Sequence, residues 1–210
     1  FVEEDKVEHK QIKDYSDKKY PVPTKIPGKL PLNINLPNNK TEGLIYKEIS
    51  FPNLGLGLLA SGGITTGDAT KFKSILENYK EGELKFIALH SPGGFIEEAL
   101  EIGKHIRGNN LNTVITNSAT CLSACPYIFA GGVNRIKGLN SYIGVHQTYY
   151  YEDTVIPFYF AVKDVQKSHA ELFRYLKEMD INHDIMEFIL DTPPEDIYII
   201  ENNQLTEFNL

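Results

Sequence analysis

Apolar residues fall into two regimes along this chain. Up to about residue 43 they are scattered among Lys, Glu and Asn, and Pro21, Pro23, Pro27, Pro31 and Pro37 follow one another closely. Proline lacks a backbone N–H and fixes its own φ, so such a stretch sustains neither a helix nor a central strand. Residues 1–43 are therefore expected to be an extended arm, and 44–210 the folded domain. From Gly43 the pattern tightens. Leu44-Ile45-Tyr46 and Leu56-Gly57-Leu58-Leu59-Ala60 read as short strands. Thr66-Gly67-Asp68 offers a capping residue for a helix in which Phe72, Ile75, Leu76 and Tyr79 recur at helical spacing. Leu84 to His90 is a mostly apolar run suited to a buried parallel strand. Ser91-Pro92-Gly93-Gly94 breaks that run. The next helix places Ile96, Ala99, Leu100, Gly103 and Ile106 on one face and Glu97, Glu98, Glu101 and Lys104 on the other.

Asn112 to Thr116 is a further strand, followed by the tight turn and apolar helix of Thr120-Cys121-Leu122-Ser123-Ala124-Cys125-Pro126, continuing to Gly132. Tyr142-Ile143-Gly144-Val145-His146 is a strand ending on a histidine, and residues 148–160 are dense in Tyr and Phe. A long amphipathic helix is expected over 161–179, with Val162, Val165, His169, Leu172, Phe173 and Leu176 on its apolar stripe. A second is expected over roughly 182–190, stopped by Asp191-Thr192-Pro193-Pro194. Ile197-Tyr198-Ile199-Ile200 reads as a short strand, and Asn203 to Leu210 as a terminal helical turn. Strand, turn and helix in repetition predict an α/β fold with a mainly parallel sheet.

Composition narrows the function. The chain has 210 residues, 41% of them hydrophobic, which suits one substantial core. Its formal net charge is −7 and it has no basic block, which argues against general binding to nucleic-acid phosphates. No apolar run approaches the length of a membrane-spanning helix. The first residue is Phe1, which fits a processed precursor or a trimmed chain from which an export signal has been removed. Asn39-Lys40-Thr41 is formally a glycosylation acceptor, a triplet frequent by chance. Only Cys121 and Cys125 are present, without the further ligands that a metal site needs, and nothing in the pattern calls for a cofactor. They are either two buried thiols or a short local disulfide. A disulfide would imply an oxidising compartment and would lock the turn that holds Ser123.

A serine before an apolar helix is ordinarily an N-cap. Its surroundings suggest more. The Gly-Gly of 93–94 follows a strand and can aim backbone N–H groups into a cleft. Alone it is an ordinary strand–helix turn, or a phosphate cradle. Beside a nucleophile, the N–H of Gly94 and that of Ala124 would form an oxyanion hole. A serine hydroxyl also needs a base. His146, at a strand end, is the best candidate of six. His90 competes with it but is expected to line the cleft floor. His9 lies in the arm, and His105, His169 and His183 lie on or near helices. Asp191, Glu195 and Asp196 are available to orient the imidazole. A Ser/Lys dyad with Lys163 is the less favoured arrangement.

The order Ser-Pro-Gly-Gly, a helix-opening Ser, Gly-Val-His-Gln, then an acid before Ile-Tyr-Ile-Ile resembles the Clp protease proteolytic subunit family and, more broadly, the ClpP/crotonase-like superfamily. The resemblance spans approximately Leu56 to Leu210. It implies a spiral of repeated ββα units with a protruding helical handle at about 148–179. It assigns Ser123 as nucleophile, His146 as general base, Asp196 as orienting acid, and Gly94 and Ala124 as oxyanion donors. A peptide or protein substrate and a homo-oligomer built through the handle and the N-terminal arm follow from it. The Cys-Leu-Ser-Ala-Cys form is similar to exported or periplasmic ClpP-like bacterial proteins rather than to the cytoplasmic subunit. Glu195 stands where the family has a basic residue, and Pro193-Pro194 is a further departure. The alternatives are a catalytically silent ClpP-like scaffold and a crotonase-type acyl-CoA enzyme, which needs no Ser/His pair.

Overall fold

The computed structural model describes residues 43–148 and 158–210. The arm up to residue 42, with His9 and Asn39, lies outside the described residues, as does the segment 149–157. In chain order the elements are β1 (Ile45–Phe51), β2 (Gly55–Ser61), α1 (Asp68–Leu76), β3 (Leu84–His90), α2 (Ile96–Gly108), β4 (Asn112–Ile115), β5 (Thr120–Leu122) and α3 (Cys125–Ala130). They continue with β6 (Arg135–Lys137), β7 (Tyr142–Val145), α4 (Phe158–Glu178), α5 (Ile185–Asp191), β8 (Tyr198–Ile199) and α6 (Asn202–Phe208). The fold is mixed α/β with two sheets. The larger has the order β1-β2-β3-β4-β6, parallel except for the β1–β2 hairpin, and the smaller has the order β5-β7-β8.

The apolar run predicted as a central strand is β3, whose Phe86, Ile87, Ala88 and Leu89 are all fully buried. A strand covered on both faces has no solvent side, so it reads as continuous rather than alternating hydrophobicity. One face carries Ile87 and Leu89 into the main core with residues of all six helices found among the described residues. The other face holds a smaller cluster of Phe86, Ala88 and Val114, with Phe51 stacked on Phe86 at 5.3 Å. Helices α2 and α3 touch through their backbones. A Cβ on Gly131 would lie 2.4 Å from the Gly103 carbonyl oxygen, so only glycine permits this approach.

Three elements depart from the expectations drawn from the sequence. Residues 120–122 form a strand rather than part of a turn, and β6 is an unanticipated edge strand. Each is three residues long, too short to show periodicity, and each exists through pairing with distant strands. The third is α4. Leu172, Tyr175, Leu176 and Met179 are buried, but Val162, Val165 and Phe173, assigned to the apolar stripe, are 37–40% exposed. Among the described side chains of this helix the buried ones lie in its second half, and residues 162–167 are exposed throughout. Periodicity in the first half therefore does not report burial against this chain.

The C-terminal ends of α3 and α4 are gathered by two arginines. Arg107 donates to the carbonyls of Ala130, Gly131, Gly132 and Met179, and Arg135 to those of Ala130, Met179 and Asn209. A guanidinium suits this position because the last carbonyls of a helix have no intrahelical partner and carry partial negative charge. Burial and the neighbouring Arg107 charge push Arg135 down to about 10.

The start of α1 is built differently from the expected local cap. Gly67 occupies the N-cap, and Glu98 on α2 accepts from the N–H groups of Gly67 and Ala69. Asp68 instead turns inward, 3% exposed, and accepts from Leu44 N–H and from the N–H and hydroxyl of Thr65. It thereby ties the entrance of β1 to the turn before α1. Asp68→Ala leaves two of these amide donors without their acceptor and should cost about 2–4 kcal/mol, judged from net energies of hydrogen bonds to a charged group. The loss would be read as a lowered urea midpoint with an unchanged m-value.

Candidate active site

The site forms where β5 and β7 end side by side. These strands run parallel, pairing Cys121 with Ile143 and Leu122 with Gly144. The Ser123 N–H adds one more rung, donating to the Gly144 carbonyl at 2.8 Å. The chain then turns sharply, with Ser123 at φ +60°, before α3 begins at Cys125 with Pro126 in its first turn. A left-handed non-glycine residue costs of order 1–3 kcal/mol and needs surrounding structure to hold it. The capping role ordinarily assigned to such a serine does not apply. Ala124 is the N-cap residue, no side-chain cap bond is present, and the Ser123 Oγ lies 2.7 Å from Nε2 of His146.

Cys121 and Cys125 form a disulfide, with a Cα–Cα separation of 5.1 Å. Both cysteines are completely buried. The bond closes a small covalent ring around Ser123, joining the last rungs of β5 to the first turn of α3.

His146 follows β7 directly and is 8% exposed. Burial lowers its pKa, and the neighbouring Pro194 backbone opposes that shift. With Nε2 at the serine oxygen, a proton on Nδ1 is the tautomer that turns the Nε2 lone pair toward the hydroxyl, as a general base requires. The next residue ties this strand end to the C-terminus of α5. Gln147 donates its main-chain N–H to Thr192 at 2.9 Å and its carboxamide Nε2–H to the Leu190 carbonyl. The turn carrying Pro194 is closed by the Asp196 N–H donating to Pro193 at 3.0 Å. Asp196 itself is exposed in this turn, as are Glu195 and Asp191.

The Gly-Gly turn is pressed against the serine. Ser91 pairs with β5 through its N–H to Thr120 and its carbonyl to Leu122, extending β3 alongside the nucleophile strand. Gly93 then passes so close that a Cβ there would lie 2.4 Å from the Ser123 Cβ and 3.0 Å from the Ala124 nitrogen. Its φ of +102° is likewise available only to glycine without strain. Gly94 bridges to Ile64, leaving its own N–H outside that pairing: Ile64 N–H donates to Gly93 and Phe95 N–H to Ile64. Among the described residues, neither the Gly94 N–H nor the Ala124 N–H makes a hydrogen bond. The Ala124 N–H directly follows Ser123 in the chain, and the Gly94 N–H follows the glycine packed against it.

The remaining candidates lie elsewhere or do other work. His90 receives the Thr120 N–H on its Nδ1 at 3.1 Å, and burial lowers its pKa, so it serves to hold β5 beside β3. His105 is on α2 and His169 on α4, while His183 packs edge-on against Phe173. Lys163 lies on the exposed first half of α4. Among the described residues there is no group of three or more His, Cys, Asp or Glu side chains able to hold a metal ion, and no helix is long and apolar enough to cross a membrane. Gly93 has no individual signal in the sequence beyond the Gly-Gly pair, because its place against Ser123 is set by backbone approach that only the fold specifies. Gln147 is visible only as part of the His-Gln dipeptide, its two bonds to the end of α5 being made across 43 and 45 positions of sequence.

No protein-family model matches the chain, and no curated protein matches it. Among solved structures it is similar to a mutant of 1510-N, a membrane-bound stomatin-specific protease. The identity is 19%, the match covers 62% of this chain and 67% of that one, and the TM-score is 0.45.

Because Gly93 leaves no room for a side chain beside Ser123, Gly93→Ala should displace the nucleophile turn while β3, β4 and the helices stay folded. The expected result is at least a hundredfold slower reaction of Ser123 with a fluorophosphonate, about the loss attributed to a misplaced oxyanion site, with little change in far-UV circular dichroism.

Proposed function

We propose that this chain is a serine peptidase that forms an acyl-enzyme on Ser123. The observation that carries the proposal is the 2.7 Å contact between the Ser123 Oγ and His146 Nε2 beside two uncommitted N–H groups. In the first step His146 Nε2 takes the Ser123 proton as Oγ attacks the carbonyl carbon of the scissile peptide. The oxygen of the tetrahedral intermediate gains the N–H groups of Gly94 and Ala124. The imidazolium then gives its proton to the leaving amine as the C–N bond breaks. Water, deprotonated by the same Nε2, attacks the ester, and the acid product leaves as Ser123 is reprotonated. Asp196 is the third member by resemblance, its carboxylate supporting the imidazolium from the turn that also presents Pro194.

The wider assignments belong to the same proposal. The domain is a ClpP/crotonase-like spiral over residues 44–210, with residues 148–179 as its handle. The exposed run 162–167 supports that role, since Val162 and Val165 stand open on it. Homo-oligomers would assemble through this handle and the N-terminal arm. The disulfide supports an exported or periplasmic form of the family, because such bonds persist in oxidising compartments. Direct contact between Ser123 and His146 favours hydrolysis over the crotonase-type reading, which has no use for the pair.

A fluorophosphonate distinguishes the roles, because it bonds to an activated serine oxygen with loss of fluoride. The native chain should label, Ser123→Ala should not, and His146→Ala should label about 10²–10⁴-fold more slowly, the usual contribution of a general base. Asp196→Asn should retain more reactivity than His146→Ala, because the imidazole that takes the serine proton is still in place. Labelling that persists in Ser123→Ala would refute the assignment.

The pH dependence follows from the burial of His146. The base must be neutral, and burial lowers its pKa, so the neutral form persists to lower pH than for an ordinary histidine. The rate should therefore fall as pH drops through a midpoint below about 6.5, the usual histidine value. A profile of kcat/KM on a peptide ester would show that acid limb, and His146→Ala would remove it.

A further inference from the structure

The nucleophile turn lies inside one covalent ring. The Cys121–Cys125 bond encloses Leu122, Ser123 and Ala124, and so contains both the hydroxyl and one of the two amides assigned to the oxyanion. The two ends of this ring are held very differently. Cys121 is the middle residue of β5 and is flanked on both sides, by Ile143 of β7 and by a bridge to Ser91 beyond β3. Cys125 opens α3, a helix of six residues with Pro126 in its first turn and no side-chain cap bond. A helix so short has little stability of its own, and its first amides find no partner within it. Arg107 and Arg135 secure the other end of α3, away from the serine. Between the cysteines, Ser123 holds φ +60°, which a serine keeps only where its surroundings impose it. Its N–H bond to Gly144 fixes the near side of the turn. The disulfide ties the far side, at Cys125, back to the sheet.

We propose that this disulfide is a positioning device for the reaction, so that the hydrolase site is complete only in the oxidised chain. The proposal deepens the serine-hydrolase reading and rests on it. With two thiols in place of the bond, Ser123 relaxes toward a right-handed conformation. Its Oγ then leaves His146 Nε2, and the Ala124 N–H leaves its place beside it. Closing the ring removes two electrons and two protons from the cysteine thiols, and a low-molecular-weight disulfide takes them up and departs as two thiols. A chain held in a reducing compartment is therefore silent and gains its activity on oxidation. Both cysteines are completely buried, so a reductant reaches the bond only when the first turn of α3 opens. Once set, the oxidised state persists.

The test compares the full oxidised chain with the same chain reduced by a dithiol and freed of reagent. Intact mass reads the two hydrogens gained, and far-UV circular dichroism reads the fold. The oxidised chain should react with a fluorophosphonate about a hundredfold faster than the reduced one, the scale on which a misplaced reacting group loses rate. On a peptide ester the loss should fall on kcat, with KM little changed. Reoxidation by a low-molecular-weight disulfide should restore the rate of the same sample. A chain carrying both Cys121→Ala and Cys125→Ala should show the low rate throughout and respond to neither reagent.

A reduced, folded chain that reacts as fast as the oxidised one would overturn the proposal, whether or not the alanine variant folds. Loss of the circular dichroism signal on reduction would overturn it too, since the bond would then hold the whole fold rather than the turn. The ¹⁵N NMR signals of the His146 ring keep the two readings apart. If the oxidised chain never reacts with a fluorophosphonate but these signals move on reduction, the disulfide still sets the Ser123–His146 contact and the hydrolase reading fails instead. Signals that stay in place on reduction would remove the positioning role.

Discussion

The parallel pairing of β5 with β7 is the constraint from which the site follows. Its register sets Leu122 opposite Gly144, so the residues just beyond each strand leave the sheet from adjacent points. One chain turns back into α3 and presents a hydroxyl; the other presents an imidazole. Parallel strands all end on the same side, which is why a pair of their C-terminal ends can hold groups distant in sequence. A slip of one residue would reverse which face each side chain occupies. The third strand in this arrangement is β3, whose extension at Ser91 is stitched to β5 and delivers Gly93 and Gly94 to the same place.

Strain at the nucleophile is balanced by the structure around it. Ser123 occupies a left-handed conformation that its side chain disfavours. Its N–H is bonded to Gly144, the ring of Cys121 and Cys125 encloses it, and Arg107 and Arg135 secure the far end of the helix that begins beside it. Much of what holds the site is backbone: the Ser123 amide on the Gly144 carbonyl, the Gln147 amide on Thr192, and the Ser91 rungs on β5. Such groups are oriented by the fold, so they need no reorganisation when charge develops.

The larger elements were readable because their burial leaves a periodic trace. Phe86 to Leu89 in β3 and the Ile96–Ile106 face of α2 are examples, and the α/β class follows from their alternation. Candidate chemistry was readable where residue type is restrictive, as at Ser123, His146 and the glycine pair. Three kinds of feature left no such trace. Strands of three residues, β5 and β6, owe their existence to partners far along the chain. The cap of α1 comes from Glu98 on another helix, while the nearby Asp68 does different work. The exposed stripe of α4 has the same periodicity as a buried one, because periodicity records an apolar face and not what covers it.

The disulfide has a chemical consequence apart from its grip on the turn. The chain contains two cysteines, and both are used in this bond. Oxidised, the chain offers no thiolate to maleimides, iodoacetamide or other thiol-selective electrophiles. A thiol reagent therefore leaves Ser123 and His146 as they are, and a thiol that appears on treatment with reductant reports opening of this one ring.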